Sequence, residues 1–356
     1  MRLAPALALL VPALLVLVGG AADAASPAVS RAGIPAAGTA VSVDLAGLPV
    51  TGDLCVPTHI GFFGDVTTLT STVTRGGAVF YRVQGGPWQV SDLPLKGGHS
   101  VARLPDGAWL INDTDHHRMV QVDDLSGHAG IIARTELAGI RLSRPHDQIV
   151  DPETGYAYVI DGGRHLFRFR TLDGPVEVWS FTPEEMNYAR SLSWFDGHLH
   201  IIHSSRGEVW RIDDFDRHLY TVFRSPRPRD GAARSATPYR DFPAGALATT
   251  GLVLNDVEKV DGWYYGTNYF TPSYAFGGDT APARLIRWRN WEDFAQGRWQ
   301  DLSGLLPAAD PPLVPYYLTL HDGTLHIAVF DHDGHCSLDG IVALSPPQVL
   351  PGQVPR

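Results

Sequence analysis

The chain has little charge and lacks the compact motifs that mark several common enzyme classes. Charged residues make up 19% of its 356 positions, and the formal net charge is −10. Because no lysine or arginine cluster offsets this acidity, we expect no nucleic-acid or anionic-membrane partner. The sequence has no GxSxG elbow, Walker motif, CxxC pair or HExxH motif. Serine hydrolase, nucleotide-dependent and zincin chemistry therefore have no support.

The N-terminus and the two cysteines both predict export. Arg2 precedes an apolar run from Leu3 to Val18, and a small-x-small site follows at 22–24, as in a cleavable signal peptide spanning residues 1–24. An uncleaved membrane anchor is the alternative. Cys55 and Cys336 fit one disulfide in an oxidising compartment, with two unpaired thiols as the alternative. We expect a secreted or periplasmic protein with no membrane span after cleavage.

A repeat of 40 to 65 residues organises the rest of the chain. Its most regular part is an alternating run that ends in a glycine turn. The copies are PTHIGFFG, HSVARLPDG, HDQIVDPETG, RSLSWFDG, NDVEKVDG and YYLTLHDG. Further alternating runs follow each turn, such as AWLIND and RMVQV after the second copy. Period-2 alternation between turns predicts half-buried strands.

Six units of four antiparallel strands predict an all-β, six-bladed β-propeller over residues 40–346. Residues 25–39 would form a linker, and the proline-rich segment 347–356 a tail. Because that tail is unsuited to a strand ladder, we expect AVSVDL (40–45) to complete the last blade. A disulfide between Cys55 and Cys336 would hold this closure covalently. Two other all-β folds fit the sequence less well. A pair of β-sandwiches would not require a motif to repeat six times, and the repeat of a β-helix is shorter than the repeat seen in this chain.

The first residue of each inner strand should reach the mouth of the propeller channel. Around the ring, these positions are large, polar and all different except for a repeated histidine: His99, His146, Arg190, Asn255 and Tyr316. A purely structural position would favour one repeated residue type, so their variety predicts a site for a metal and an anionic or carbonyl-bearing ligand. The alternative is that these side chains are polar only because they line a water-filled channel, and that they bind no ligand.

Each type of side chain suggests a role at such a site. His99 and His146 could bind a divalent metal through neutral imidazole. Arg190 could hold a carboxylate with two hydrogen bonds and assist catalysis. Tyr316 is a candidate general acid or base. In the next position, Asp147 and its counterpart Asp256 are expected to bond neighbouring blades rather than act as acids.

The turn NDTDHHRMVQV and the strands around it resemble six-bladed repeats of the NHL type. Within that group, the resemblance extends to peptidyl-hydroxyglycine amidating lyases, whose channel histidines hold zinc beside an arginine and a tyrosine. It implies the zinc ligands His99 and His146, with His59 as the candidate for a third channel histidine. His116 and His117 lie in the turn itself, where the resemblance implies a structural role.

A second resemblance is to the SMP-30, gluconolactonase and paraoxonase group of calcium-dependent hydrolases. LNDVEKVDGWYYGT, which contains Asn255 and Asp256, is similar to one of the ligand strands of that group. It implies that Asn255 is a metal ligand. The bound ion would therefore be a divalent metal, either zinc or calcium.

These observations favour an exported, monomeric, metal-assisted enzyme, either a lactone or ester hydrolase or a lyase. Its substrate would be a small oxygen-rich or anionic molecule bound by Arg190, His59 and Tyr317, with Arg190 and Tyr316 catalytic. A propeller that binds a ligand or protein without turnover is the alternative, since the same residues would serve it. A purely structural spacer is the third hypothesis.

Overall fold

The computed structural model describes residues 40–162, 164–186, 188–225, 252, 254–268, 285–309, 313–331 and 336–345. These residues form six four-stranded antiparallel blades, so the predicted six-bladed β-propeller is confirmed. From inner to outer strand, the first three blades are β2–β5 (Pro57–Phe63, Val66–Ser71, Ala78–Val83, Gln89–Val90), β6–β9 (Val101–Arg103, Trp109–Asp113, Arg118–Val122, Ile132–Arg134) and β12–β15 (Pro145–Val150, Ala157–Asp161, His165–Phe169, Val176–Ser180).

The remaining blades complete the ring. They are β16–β19 (Ser191–Phe195, His198–His203, Glu208–Asp214, Leu219–Arg224), β20–β23 (Leu254–Val260, Trp263–Asn268, Leu285–Trp288, Gln300–Asp301) and β24–β26 (Val314–His321, Thr324–Phe330, Gly340–Leu344) with β1 (Val41–Ser42). A short hairpin, β10 (Glu136–Leu137) and β11 (Ile140–Arg141), lies between the second and third blades, and one helical turn, α1 (Trp291–Ala295), lies in the fifth.

Tight hairpins explain why the glycine turn recurs between inner strands and their neighbours. At the turn between β16 and β17, Asp196 has a φ of 54° and Gly197 a φ of 71°. Two consecutive positive φ values are those of a type I′ turn, which matches the twist of paired strands and favours Asp-Gly. In the Asp-Gly turns at 261–262 and 322–323, both residues also have positive φ. The repeated DG in the sequence is therefore a turn requirement.

The two ends of the described chain meet in the last blade. Val41 pairs with Ala343, and Ser42 with Val342, so β1 is the outer strand of the blade that β24 begins. The predicted disulfide between Cys55 and Cys336 is confirmed, and it joins residues 281 positions apart. It therefore links the segment entering the first blade to a loop of the last.

The hydrophobic core lies between the faces of neighbouring blades. Between the third and fourth blades, for example, Ile160 and Trp179 belong to the same buried cluster as Ile201 and Trp210. Alternation along each strand supplies such side chains to both faces. Trp210 is 2% exposed, which shows how completely adjacent blades cover each other.

Buried aspartates connect the inner strands across the channel wall. Asp147 accepts hydrogen bonds from the backbone N of Leu192 at 2.8 Å and from Oγ of Ser100 at 2.7 Å, so it joins three blades. Asp256 does the same for the next blades, accepting from the backbone N of Leu318 at 2.8 Å and from Oγ of Ser191 at 2.9 Å. Carboxylates that satisfy buried amides hold the inner strands in register.

The turn that resembles the NHL type is held by its own side chains. Nδ1 of His116 lies 2.9 Å from Oδ2 of Asp113, and Nε of Arg118 donates to the same oxygen at 2.6 Å. Nδ1 of His117 accepts from the backbone N of Arg144 at 3.1 Å. Both histidines thus make contacts that stabilise the turn.

The predicted signal peptide (1–24), linker (25–39) and C-terminal tail (347–356) lie outside the described residues. Within the described ranges, no helix has the length and apolar character needed to cross a membrane.

Candidate functional site

The structure brings the five predicted channel residues together in one buried cluster, here called the polar ring: His99, His146, Arg190, Asn255 and Tyr316. All are at most 6% exposed. The imidazoles of His99 and His146 meet edge to face with centroids 4.8 Å apart. Nη1 of Arg190 donates to Oδ1 of Asn255 at 3.3 Å, and the guanidinium lies over the Tyr316 ring at 5.3 Å.

Irregular pairing at the heads of the inner strands helps to aim these side chains. The register of β12 against β13 shifts between Pro145 and Asp147, which brackets His146. The register of β20 against β21 shifts in the same way between Leu254 and Asp256, which brackets Asn255. Such bulges re-aim a side chain at the rim of a sheet.

Tyr188 is a member of the site that the sequence reasoning missed. It is 3% exposed and lies two residues before Arg190, in the segment that enters β16. Its hydroxyl accepts hydrogen bonds from Nε and Nη2 of Arg190 at 3.2 and 3.0 Å, and it lies 3.1 Å from Nε2 of His146. Residues two apart in an extended segment share a side, so the spacing in NYARSL was the available signal.

This hydrogen bonding fixes the tautomer of His146. Because a guanidinium only donates, the hydroxyl oxygen of Tyr188 accepts from both Nε and Nη2 of Arg190, so its contact with Nε2 of His146 is a hydrogen bond that the hydroxyl donates. Nε2 is then the acceptor, and the ring proton of neutral His146 lies on Nδ1. In the structure, Nδ1 of His146 is buried without a hydrogen-bond partner.

His99 has the same tautomer for a different reason. Its Nδ1 lies 2.7 Å from the carbonyl oxygen of Gly97 and 2.9 Å from Oγ1 of Thr114. The Thr114 hydroxyl donates to the carbonyl of Pro145 at 2.7 Å, so both neighbours accept from Nδ1 of His99. The lone pair of His99 is therefore on Nε2.

Both histidines are neutral across the physiological pH range. Burial, reinforced by the nearby charge of Arg190, lowers the pKa of His99 to about 3. Burial lowers the pKa of His146 well below its ordinary value, and the neighbouring His99 and the charge of Arg190 further disfavour its protonation. A positive imidazole beside a buried guanidinium would be doubly unfavourable.

Two buried donors of the polar ring have no hydrogen-bond partner among the residues that the structure describes. One is the Nδ1–H of His146. The other is Nδ2 of Asn255, whose Oδ1 must face Arg190 because the guanidinium can only donate. Unpartnered buried donors are costly, so together with the Arg190 guanidinium they favour a ligand that presents oxygen acceptors or negative charge.

The same contacts do not fit a resident divalent cation. The Oδ1 of Asn255 and the Nε2 of His146 already accept hydrogen bonds, and the Arg190 guanidinium bonds Asn255 directly and the Tyr188 hydroxyl that contacts His146. In the part of the chain that the structure describes, no group of three or more His, Cys, Asp or Glu side chains is placed to hold a metal. The zinc or calcium expected at His99, His146 and Asn255 therefore stays a prediction, and no step proposed below passes through it.

Tyr317 and His59 lie on the far side of the polar ring. The hydroxyl of Tyr317 donates to the backbone oxygens of Arg190 at 3.0 Å and of His146 at 3.3 Å. His59 lies edge-on to the Tyr317 ring, at 6.2 Å between centroids. Both residues line a cavity at the other end of the channel. Their predicted part in binding the substrate with Arg190 stays a prediction.

Solved structures with the same architecture exist, although their sequences differ widely from this chain. A virginiamycin B lyase from Staphylococcus aureus, solved as an inactive variant with quinupristin, is 14% identical with a TM-score of 0.53, covering 86% of this chain and 98% of that one. A streptogramin B lyase is 13% identical with a TM-score of 0.52, covering 86% and 96%. A gluconolactonase from Xanthomonas campestris has the same four values.

These relatives are six-bladed propellers of the gluconolactonase-like and lyase type, in agreement with the resemblance in the sequence. At such low identity, the likeness shows the fold alone. A scan against protein-family models and a search of curated proteins found no match.

Proposed function

We propose that this chain is an exported enzyme that cleaves a carbon–oxygen bond in a small anionic or carbonyl-bearing substrate held by the polar ring. The observation that carries the proposal is the Arg190 guanidinium flanked by two unpartnered donors, Nδ1 of His146 and Nδ2 of Asn255. The lyases and gluconolactonase of the same fold support an enzyme over a spacer.

Arg190 is the proposed anchor for negative charge on the substrate. It is 3% exposed, so charge that develops on a substrate oxygen would meet it in a poorly solvated site, where electrostatic stabilisation is strong. The Nδ1–H of neutral His146 can donate to the same oxygen without carrying charge, and Asn255 can add a second neutral donor. Tyr188 positions both Arg190 and His146.

Tyr316 is the proposed general acid or base, as the sequence predicts. Its ring lies 6.2 Å from that of His99 and beneath the Arg190 guanidinium. His99 presents the lone pair of Nε2, but its pKa of about 3 makes it a weak base, so we assign it a hydrogen-bonding role.

The experiment is a panel of aryl esters, lactones and ester-linked substrates that can undergo elimination, assayed with the wild type and Arg190→Met. We expect kcat/KM for the active substrate to fall about a hundredfold or more, and to recover partly in Arg190→Lys. The exposed Arg134→Met is the matched control and should keep wild-type activity.

Product analysis separates the two reaction types. Hydrolysis in ¹⁸O-labelled water would place the label in the acid product, whereas elimination would give an unlabelled alkene that absorbs in the ultraviolet. Wild-type kinetics that survive Arg190→Met would refute the role of this site. Tight binding of an anionic ligand with no turnover of any substrate would favour the non-catalytic alternative.

Metal analysis of the purified protein tests the remaining part of the sequence prediction. Turnover that survives chelation, in protein that holds no stoichiometric zinc or calcium, would agree with the hydrogen-bonded polar ring described above. If chelation removed a bound ion and the activity was lost with it, that result would support the metal-assisted enzyme predicted from the sequence.

A further inference from the structure

The channel has a second cavity, at the end opposite the polar ring. Its volume is about 530 Å³, which is large enough for a small organic molecule. It is lined by the later residues of the inner strands, such as Ile149 and Val150 of β12, whereas the polar ring lies at the heads of those strands. Tyr317, Asp147 and Asp256 lie between the two regions.

Glu258 is the carboxyl group of this second cavity that is open to a ligand. The oxygens of Asp147 and Asp256, which also line the cavity, accept the hydrogen bonds that join the blades. The backbone N–H of Lys259 donates to Glu258, and among the described residues no side chain is shown donating to it. Burial, with the nearby charges of Asp256 and Asp147, raises the pKa of Glu258 well above its ordinary value. A cation placed beside it would relieve that repulsion.

Gln148 adds an independent sign of a missing hydrogen-bond donor. It lines the same cavity and is only 5% exposed. Its Nε2 donates to the carbonyl oxygen of Leu110 at 3.4 Å, which identifies the other atom as the oxygen. This Oε1 is buried without a partner. An unpartnered acceptor in a cavity that is also lined by a carboxyl group favours a donor that carries positive charge.

The protein supplies no such cation to the second cavity from the described lining residues. His59 is neutral, because burial lowers its pKa to about 4. Arg103 is exposed, and its guanidinium lies over the ring of Trp109 at 5.2 Å. The positive charge would therefore have to come from the ligand.

The rest of the second cavity is apolar and aromatic. Phe62, Phe63 and Trp194 line it, and Phe62 is held by stacking on His321 with centroids 4.0 Å apart. Aromatic faces attract organic cations and bury apolar substituents. A bare metal ion would gain nothing from these walls.

We propose that this second cavity binds an organic ammonium ion that carries an apolar group, with Glu258 and the Gln148 oxygen receiving its N–H donors and the aromatic side chains covering its apolar part. This site is separate from the polar ring, so the proposal does not depend on the proposed enzymatic activity.

Calorimetry of the full chain with benzylammonium and with neutral benzyl alcohol tests the proposal. We expect one benzylammonium per chain, bound about tenfold or more tightly than the alcohol, because only the ammonium can form charge-assisted hydrogen bonds. Glu258→Gln should remove this preference. Gln148→Leu should weaken ammonium binding while leaving the cavity shape nearly unchanged. Glu153→Gln, in an exposed turn, is the matched control and should bind as the wild type does.

Equal binding of the two probes, or a preference that survives in Glu258→Gln, would overturn the proposal. Displacement of benzylammonium by equimolar calcium would also overturn it, since it would show an inorganic cation site. If Glu258→Gln failed to fold by circular dichroism, the wild-type comparison and Gln148→Leu would decide the question.

Discussion

The Tyr188 hydroxyl should contribute to stability as well as to the geometry of the site. Replacing Tyr188 with Phe removes the oxygen that accepts from Nε and Nη2 of Arg190 and that lies 3.1 Å from Nε2 of His146. Hydrogen bonds to charged groups contribute about 1.5–3 kcal/mol, and the donors of a buried guanidinium that lose a partner add to the cost. We therefore expect the free energy of unfolding to fall by about 2–4 kcal/mol.

Urea denaturation followed by tryptophan fluorescence measures this change, and thermal denaturation should show a decrease in Tm of roughly 5–10 °C. Tyr156→Phe is the matched control, because its ring packs beside Arg168 and Arg170 and its hydroxyl makes no described hydrogen bond. A Tyr188→Phe protein that unfolds at the same urea concentration as Tyr156→Phe would refute the bridging role.

Three further predictions concern stability. Replacing Cys55 and Cys336 together by serine should lower the free energy of unfolding by about 2–5 kcal/mol in denaturation experiments, near the upper value because the bond closes a long loop. Burial raises the pKa of Asp147 to about 8 and of Asp256 to about 7, so the native state holds protons that the unfolded chain releases. Their stabilisation should be complete below about pH 4 and be lost as the pH rises through 7 and 8, as urea denaturation across that range would show. Gly77→Ala should cost about 1–3 kcal/mol, because φ is 123° and a Cβ would lie 2.4 Å from a backbone nitrogen.

Each of these predictions has a result that would contradict it. The disulfide prediction fails if the serine variant and the wild type unfold alike under non-reducing conditions. The pH prediction fails if stability rises between pH 5 and pH 8, or if Asp147→Asn leaves the slope unchanged. For Gly77→Ala, the control is Gly304→Ala, where a Cβ meets open space, and equal stability of the two variants would refute the argument.

The fold could be predicted because each blade repeats a local physical requirement. A type I′ turn needs positive φ at two positions, and successive side chains of a strand point to opposite faces, so both leave a periodic trace in the sequence. The lengths of the outer strands were harder to predict from the sequence. The predicted strand 40–45 spans only Val41–Ser42, and the outer strand of the fifth blade only Gln300–Asp301. Outer strands are partly solvated, so their polar residues set no clear boundary.

The site could be predicted only in part. Reading the first position of each inner strand identified the polar ring, because the propeller directs those positions to one axis. Tyr188 was missed because it precedes the strand, in a segment that shows no repeat. The role of Tyr317 in binding the substrate stays a prediction, and the structure adds that its hydroxyl bonds the backbone oxygens of His146 and Arg190. A single sequence carries no sign of such a long-range contact.

The position of Tyr317 also affects how the two ends of the central channel are connected. This side chain and the blade-joining aspartates Asp147 and Asp256 lie between the polar ring and the cavity at the other end of the channel. A molecule in that cavity would therefore be separated from Arg190 by side chains that already hold hydrogen bonds between the inner strands. We therefore expect an organic cation in the second cavity and a ligand at Arg190 to bind at the same time without touching each other.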